Sequence, residues 1–175
     1  MPRHSSTYIG IAFYTSKEYP MQWVIVLSSR QKFDGTVWCG TLIDSVNGRV
    51  ESWKSCEHSP ATFAPHLSFL GIIMVGKVDL PASDIQESIF NKVWKAQDSR
   101  RGKDQYPPSD EYVCWALLHL CNENTISLPP WVKNNFSGHF AERLSKLQER
   151  SRSKVTQYLI IPIVEGDVVV GRTQV

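Results

Sequence analysis

Three adjacent residues, Asp110, Glu111 and Tyr112, carry side chains well suited to chemistry. Two carboxylates followed by a phenol can bind a cation, take up a proton or pass one on. They stand at the head of SDEYVCWALLHL, Ser109 to Leu120. Ser109 is of the type that caps a helix, its hydroxyl accepting from a free first-turn N–H. Carboxylates in a first turn favour the positive end of the helix dipole. The N–H groups near 110–113 can also stabilise negative charge developing on an oxygen. Val113, Cys114, Trp115, Ala116, Leu117, Leu118 and Leu120 follow, the pattern of a buried helix. A capped core helix, with Tyr112 as an aromatic filling the helix–sheet interface, accounts for the same residues without any activity.

Other reactive residue types are dispersed. The cysteines at 39, 56, 114 and 121 form no CxxC pair and no Cys/His ligand spacing, so no metal site is expected. Cys114 and Cys121 read as packed, reduced thiols. Neither a P-loop nor a GxGxxG segment is present, and no cofactor is expected. The opening MPRHSSTYIG has no apolar leader-like segment, and no apolar run approaches the ~18 residues of a membrane span. A cytoplasmic location without membrane attachment is the expectation.

Cations are clustered. His139, Arg143, Lys146 and Arg150 recur at i, i+4, i+7 and i+11, one row on a helix. Arg100, Arg101 and Lys103 form a second patch. Between Val132 and Lys154 six basic residues face two acids, a surplus of four in a chain whose total is +2. Such a local basic face suits a polyanionic partner; a solvated helix face is the alternative.

These groups need a scaffold. Tyr8–Tyr14 and Gln22–Leu27 have strand chemistry, Phe33-Asp34-Gly35 is a turn, and Thr36–Val46 is expected as a third strand. Asn47-Gly48 favours a tight hairpin returning through Arg49–Trp53. Glu57–His66, with two prolines, reads as a loop, and Leu67–Val78 as a strand with Gly71 and Gly76 as possible bulges. A helix follows, with Ser83 and Gln86 as a capping box and Ile85, Ile89, Phe90, Val93 and Trp94 as its apolar stripe. Asp98–Pro108 connects it to the Ser109 helix, which Pro129-Pro130 forbids from continuing. A third helix over 137–150 buries Phe140, Leu144 and Leu147, and 157–170 forms a C-terminal hairpin whose Pro162 argues for a sheet edge. The expected fold is α+β: a mainly antiparallel sheet packed with about three helices. Residues 1–175 form one domain, with 132–175 as a basic helix plus hairpin extension.

Two resemblances attach to these residues. QWVIVL, LGIIMVGKV and EYVCWALLHL, within residues 8 to 130, resemble small fungal proteins of circularly permuted papain-like or NlpC-like fold. In that pattern an early strand begins His-Trp and a Trp-bearing helix begins Asn-Cys, giving a thiol–imidazole pair. Here Gln22 stands in the His place and Glu111-Tyr112 in the Asn-Cys place. Cys114 lies two residues beyond Tyr112, about 200° round a helix, with no adjacent His. A catalytically inactive papain-like module binding protein or peptide is therefore one reading. A cysteine amidase or peptidase using Cys114 or Cys39 is another.

YIGIAFY…QWVIVLS and VWCGTLIDSVNG are similar to fungal arginine-containing cyclodipeptide synthases. That resemblance implies joining two aminoacyl-tRNAs, arginyl-tRNA and a second charged tRNA, into a diketopiperazine, with neither DNA nor membrane involved. No ATP site is needed, since the tRNA ester is already activated. Tyr112 would hold or relay a proton near the attacking amine, Glu111 would bind that amine or act as base, and Gln22 would hydrogen-bond the reacting carbonyl. Trp23, Trp38, Asp44, Glu57 and Asp110 would bind the guanidinium through aromatic faces and carboxylates. Ser45 is a possible acyl acceptor, or a plain strand serine before a turn. Arg100, Arg101, Lys103, His139, Arg143, Lys146 and Arg150 would contact tRNA phosphates.

Overall fold

β-branched and aromatic segments build the centre of the molecule. In a computed structural model, residues 6–15, 17, 21–40, 42–44, 49–51, 53–57, 59–64, 67–94, 109–151, 157–164 and 169–172 are described. The strands are β1 (Thr7–Thr15), β2 (Gln22–Ser28), β3 (Val37–Gly40), β4 (Leu42–Asp44), β5 (Arg49–Glu51), β6 (Lys54–Cys56), β7 (Ser68–Val78), β8 (Gln157–Pro162) and β9 (Val169–Arg172). Seven form one sheet in the order β6-β3-β2-β1-β7-β8-β9, while β4 and β5 pair apart from it. All neighbours in the large sheet are antiparallel except β7 and β8, which run parallel.

The fold is α+β, and the sheet has two unlike faces. Ile9, Ile11 and Phe13 of β1 and Ile25 and Leu27 of β2 pack with the helices. Those helices are α1 (Ala82–Ser88, continuing as a π-helical segment Ile89–Trp94), α2 (Ser109–Asn122), α3 (Pro130–Lys133) and α4 (Phe136–Ser151). Ala12, Tyr14, Val24 and Val26 point the other way, where Phe33 and Ala64 from connecting segments cover them. Burial on both faces explains why β1 and β2 read as continuous apolar runs.

Two glycines permit close approaches that side chains would block. A Cβ on Gly10 would lie 2.7 Å from Ile72 Cγ2 and 2.9 Å from Phe33 Cζ, so Phe33 seats on bare backbone. Gly71, at φ +142, would meet Leu147 Cδ2 and the Leu159 carbonyl oxygen at 2.8 Å, which lets α4 settle on β7. The β1–β7 register shifts beside both Gly71 and Gly76, as their places in the strand suggested.

Several expectations need correction. Thr36–Val46 is not one strand: β3 stays in the large sheet and β4 leaves it after Gly40, against which the Trp53 indole packs too closely for any Cβ. β6 then returns to pair with β3. The α1 cap is Pro81, whose side chain has no polar atom to cap with, and the Ser83 hydroxyl donates to Asp84 Oδ1 at 3.0 Å. The C-terminal hairpin, by contrast, does lie at an edge of the large sheet, with β9 outermost and β8, which ends at Pro162, between it and β7. Phe90 and Trp94 side chains lie outside the described residues, while Ile85, Ile89 and Val93 are buried as the stripe requires.

Candidate functional site

The start of α2 is fixed by a contact that its sequence does not announce. The Ser109 hydroxyl is buried and accepts from the Trp23 backbone N–H of β2 at 3.0 Å. It therefore joins helix to strand. The consequence is positional: the first turn of α2, which carries Asp110 and Glu111, is tied to the beginning of β2. Asp110 is exposed and Glu111 half-buried. Trp23, half-buried, lies on the helix side of the sheet, its ring edge-on to Phe13 at 5.0 Å and Phe140 at 5.1 Å. An acidic helix turn tied to a tryptophan-bearing strand offers the residue types that hold a planar cation.

The other members of the expected catalytic set do not join them. Gln22 pairs with Tyr14, so the pleat directs it to the face opposite the helices. Tyr112 belongs to the helix-side core and is 2 % exposed. The sheet thus lies between Gln22 and Tyr112. Tyr112 fills the helix–sheet interface, and Gln22, 8 % exposed, belongs to the other layer.

The expected substrate-binding residues are likewise spread out. Trp38 is on the helix side but pairs with Leu27, four residues along β2 from Trp23, roughly 13 Å at ~3.3 Å per residue. Glu57 is exposed, following Cys56 at the far edge. Asp44 ends β4 in the separate ribbon; its side chain, and Ser45 entirely, lie outside the described residues.

Among the cations, Arg100, Arg101 and Lys103 also lie outside the described residues, as does the Arg150 side chain. The row on α4 is not uniform. Arg143 is 11 % exposed and turns inward, Nε donating to the Pro162 carbonyl of β8 at 2.8 Å. Its place is in the fold rather than on a phosphate-facing surface. Lys146 is 59 % exposed and lies 3.5 Å from Glu142. His139 Nε2 bonds the Trp131 carbonyl at 3.1 Å.

Sequence reasoning passed over Trp131. Its indole is half exposed and meets the His139 ring edge-on at 4.8 Å. Its signal was the Pro-Pro-Trp opening of α3, which presents the ring at a helix start.

The thiols are poor nucleophile candidates on the helix side. Burial raises the Cys114 pKa, opposed by a hydrogen bond with Ser137 and reinforced by Asp110. Burial raises Cys121 too, with Lys133 opposing. Among the described residues, no three His, Cys, Asp or Glu side chains are grouped to hold a metal ion, and no helix is long and apolar enough to cross a membrane. A cavity of about 470 Å³ opens between the end of β7 and the α2–α3 connection, bordered by Lys77, Asp79 and Asn124. None of the residues expected to be catalytic lines it. No protein-family model, curated protein or solved structure matches the chain.

Proposed function

We propose that the chain acts on aminoacyl-tRNA, forming an arginine-containing cyclodipeptide at the junction of β2 with the start of α2. The observation that carries this reading is the Ser109–Trp23 bond, which ties the acidic first turn of α2 to the strand residue that bears an indole. Asp110 then pairs with the guanidinium and Trp23 lies along its flank, while Glu111 takes the proton from the attacking amine. The attacking amine forms the amide bond as the tRNA ester oxygen leaves with its electron pair and a proton. A second such step closes the ring. Gln22 and Tyr112 have no part in it. The stretches similar to the fungal synthases are strands β1 to β4, the framework under this junction.

The test is extraction of small molecules from cells expressing the chain, followed by mass spectrometry. An arginine-containing diketopiperazine is expected, lost with Glu111→Gln and with Asp110→Asn and retained with Gln22→Ala. A binding module without catalysis is the second reading, favoured by the separation of Gln22 from Tyr112 across the sheet. It is supported if no such product accumulates from a well-folded protein.

A further inference from the structure

We propose that Cys39 and Cys56 form a reversible dithiol–disulfide couple that exchanges with small disulfides of the glutathione type. The two sulfurs are 3.7 Å apart. Cys39 faces Lys54 and Cys56 faces Val37 in the β3–β6 ladder, so the cysteines are diagonal neighbours on one face. Both belong to the core layer opposite the helices, Cys39 fully buried and Cys56 8 % exposed. A disulfide needs the sulfurs at about 2.05 Å, an approach of roughly 1.7 Å. β6 has three residues and forms the edge of the sheet, so few ladder bonds oppose that shift.

The two thiols are unlike, as an attacking and a resolving group should be. The hydrogen bond with Cys39 lowers the Cys56 pKa, with burial opposing and Lys54 assisting. The same bond, burial and the Cys56 charge raise Cys39. Cys56, the less buried of the two and in the edge strand, is the sulfur assigned the first attack. Its thiolate attacks one sulfur of oxidised glutathione and releases a first glutathione thiolate, which takes up a proton. The Cys39 thiol then loses its proton and its sulfur attacks Cys56, releasing the second glutathione. Two protein thiols are oxidised and one glutathione disulfide is reduced to two thiols. The bond joins β3 to β6, the two strands from which the β4–β5 ribbon departs, so its formation ties the base of that ribbon.

The test equilibrates the full chain in glutathione buffers from fully reduced to fully oxidised. Acid quenching, denaturing alkylation and peptide mass mapping follow. The expected result is a loss of 2 Da confined to a linked Cys39–Cys56 peptide pair, reversed by excess reduced glutathione. Cys39→Ser should instead accumulate one glutathione adduct at Cys56. The proposal is overturned if both cysteines are alkylated as thiols at every ratio, or if the adduct in Cys39→Ser sits on Cys114 or Cys121 and not on Cys56.

Discussion

Arg143 separates two readings of the cationic helix, and its replacement by Met is the sharpest way to do so. If the residue serves a polyanion, removing it weakens binding and leaves the fold alone. Its geometry argues for the reverse: Nε donates to the Pro162 carbonyl at 2.8 Å and the side chain is 11 % exposed. A hydrogen bond from a charged donor contributes about 1.5–3 kcal/mol. The lower half applies, because buried Nη1 has no hydrogen bond, with Glu142 Oε2 3.8 Å away. Met keeps much of the aliphatic stem, so packing loss is small. Arg143→Met should therefore cost about 2 kcal/mol, or ~4–8 °C in Tm at this chain length. Lys146→Gln, which removes an exposed pair to Glu142, should cost under about 0.5 kcal/mol. Urea unfolding measures both. Titration with tRNA at several salt concentrations supplies the second readout, where loss of one phosphate contact lowers the log–log salt slope by about 1. Lys146→Gln should change the slope and Arg143→Met should not. A stable Arg143→Met protein with a reduced slope refutes the assignment of Arg143 to the fold.

Other consequences are quickly checked. Gly10→Ala should destabilise by about 1–3 kcal/mol in urea, since its Cβ would meet Phe33 and Ile72 below 3 Å; Gly76→Ala, whose Cβ has no neighbour within 4 Å, should cost far less. Tyr14 and Tyr158 have pKa values raised chiefly by burial, so above pH 10 the unfolded chain has lost protons that the folded chain keeps. Stability should then be complete below pH 10 and fall above it by up to about 1.4 kcal/mol per pH unit for each tyrosine, with Tyr14→Phe flattening the slope. Cys114 should react slowly with iodoacetamide at neutral pH, since burial raises its pKa, and Cys114→Ser should leave diketopiperazine formation unchanged. Joining Cys39 to Cys56, 17 residues apart, should raise unfolding stability by about 3 kcal/mol in the chain-entropy picture.

Legibility from the sequence followed how locally each feature is determined. β1, β2 and β7 were plain from composition, and the apolar face of α4 from its spacing. The Gly71 and Gly76 irregularities were marked because a strand glycine usually has a reason to lack a side chain. What escaped depends on partners distant in sequence. Nothing around Ser109 tells that its hydroxyl accepts from a strand 86 residues away. Arg143 looks like one of a row until Pro162 takes its guanidinium. Trp53 packs against the bare Gly40 at the end of β3, and no property of TVWCGTLIDSV forecasts that contact. Cys39 and Cys56 carry no ligand spacing, because the pairing of β3 with β6 brings them together.

The fate of Gln22 shows why the site was harder to read than the fold. A strand residue can work with the start of α2 only from the helix side of the sheet, and in β2 that side belongs to Trp23, Ile25 and Leu27. Gln22 has the other parity, with Val24 and Val26. Parity is visible in a sequence when one face of a strand is wet, since polar residues then mark it. β2 is buried on both faces, so its apolar run gives no such mark. Once the face is known, the group that β2 contributes beside the first turn of α2 is an indole rather than an amide. An indole has no proton to exchange at neutral pH, but its face attracts a cation. In the proposed reaction the acid–base work falls to the helix, whose first turn carries the half-exposed carboxylate of Glu111. Trp23→Leu should accordingly weaken arginine selection while leaving turnover of the bound substrate largely intact, whereas Glu111→Gln should remove turnover. The opposite division of effects would place the proton transfer elsewhere.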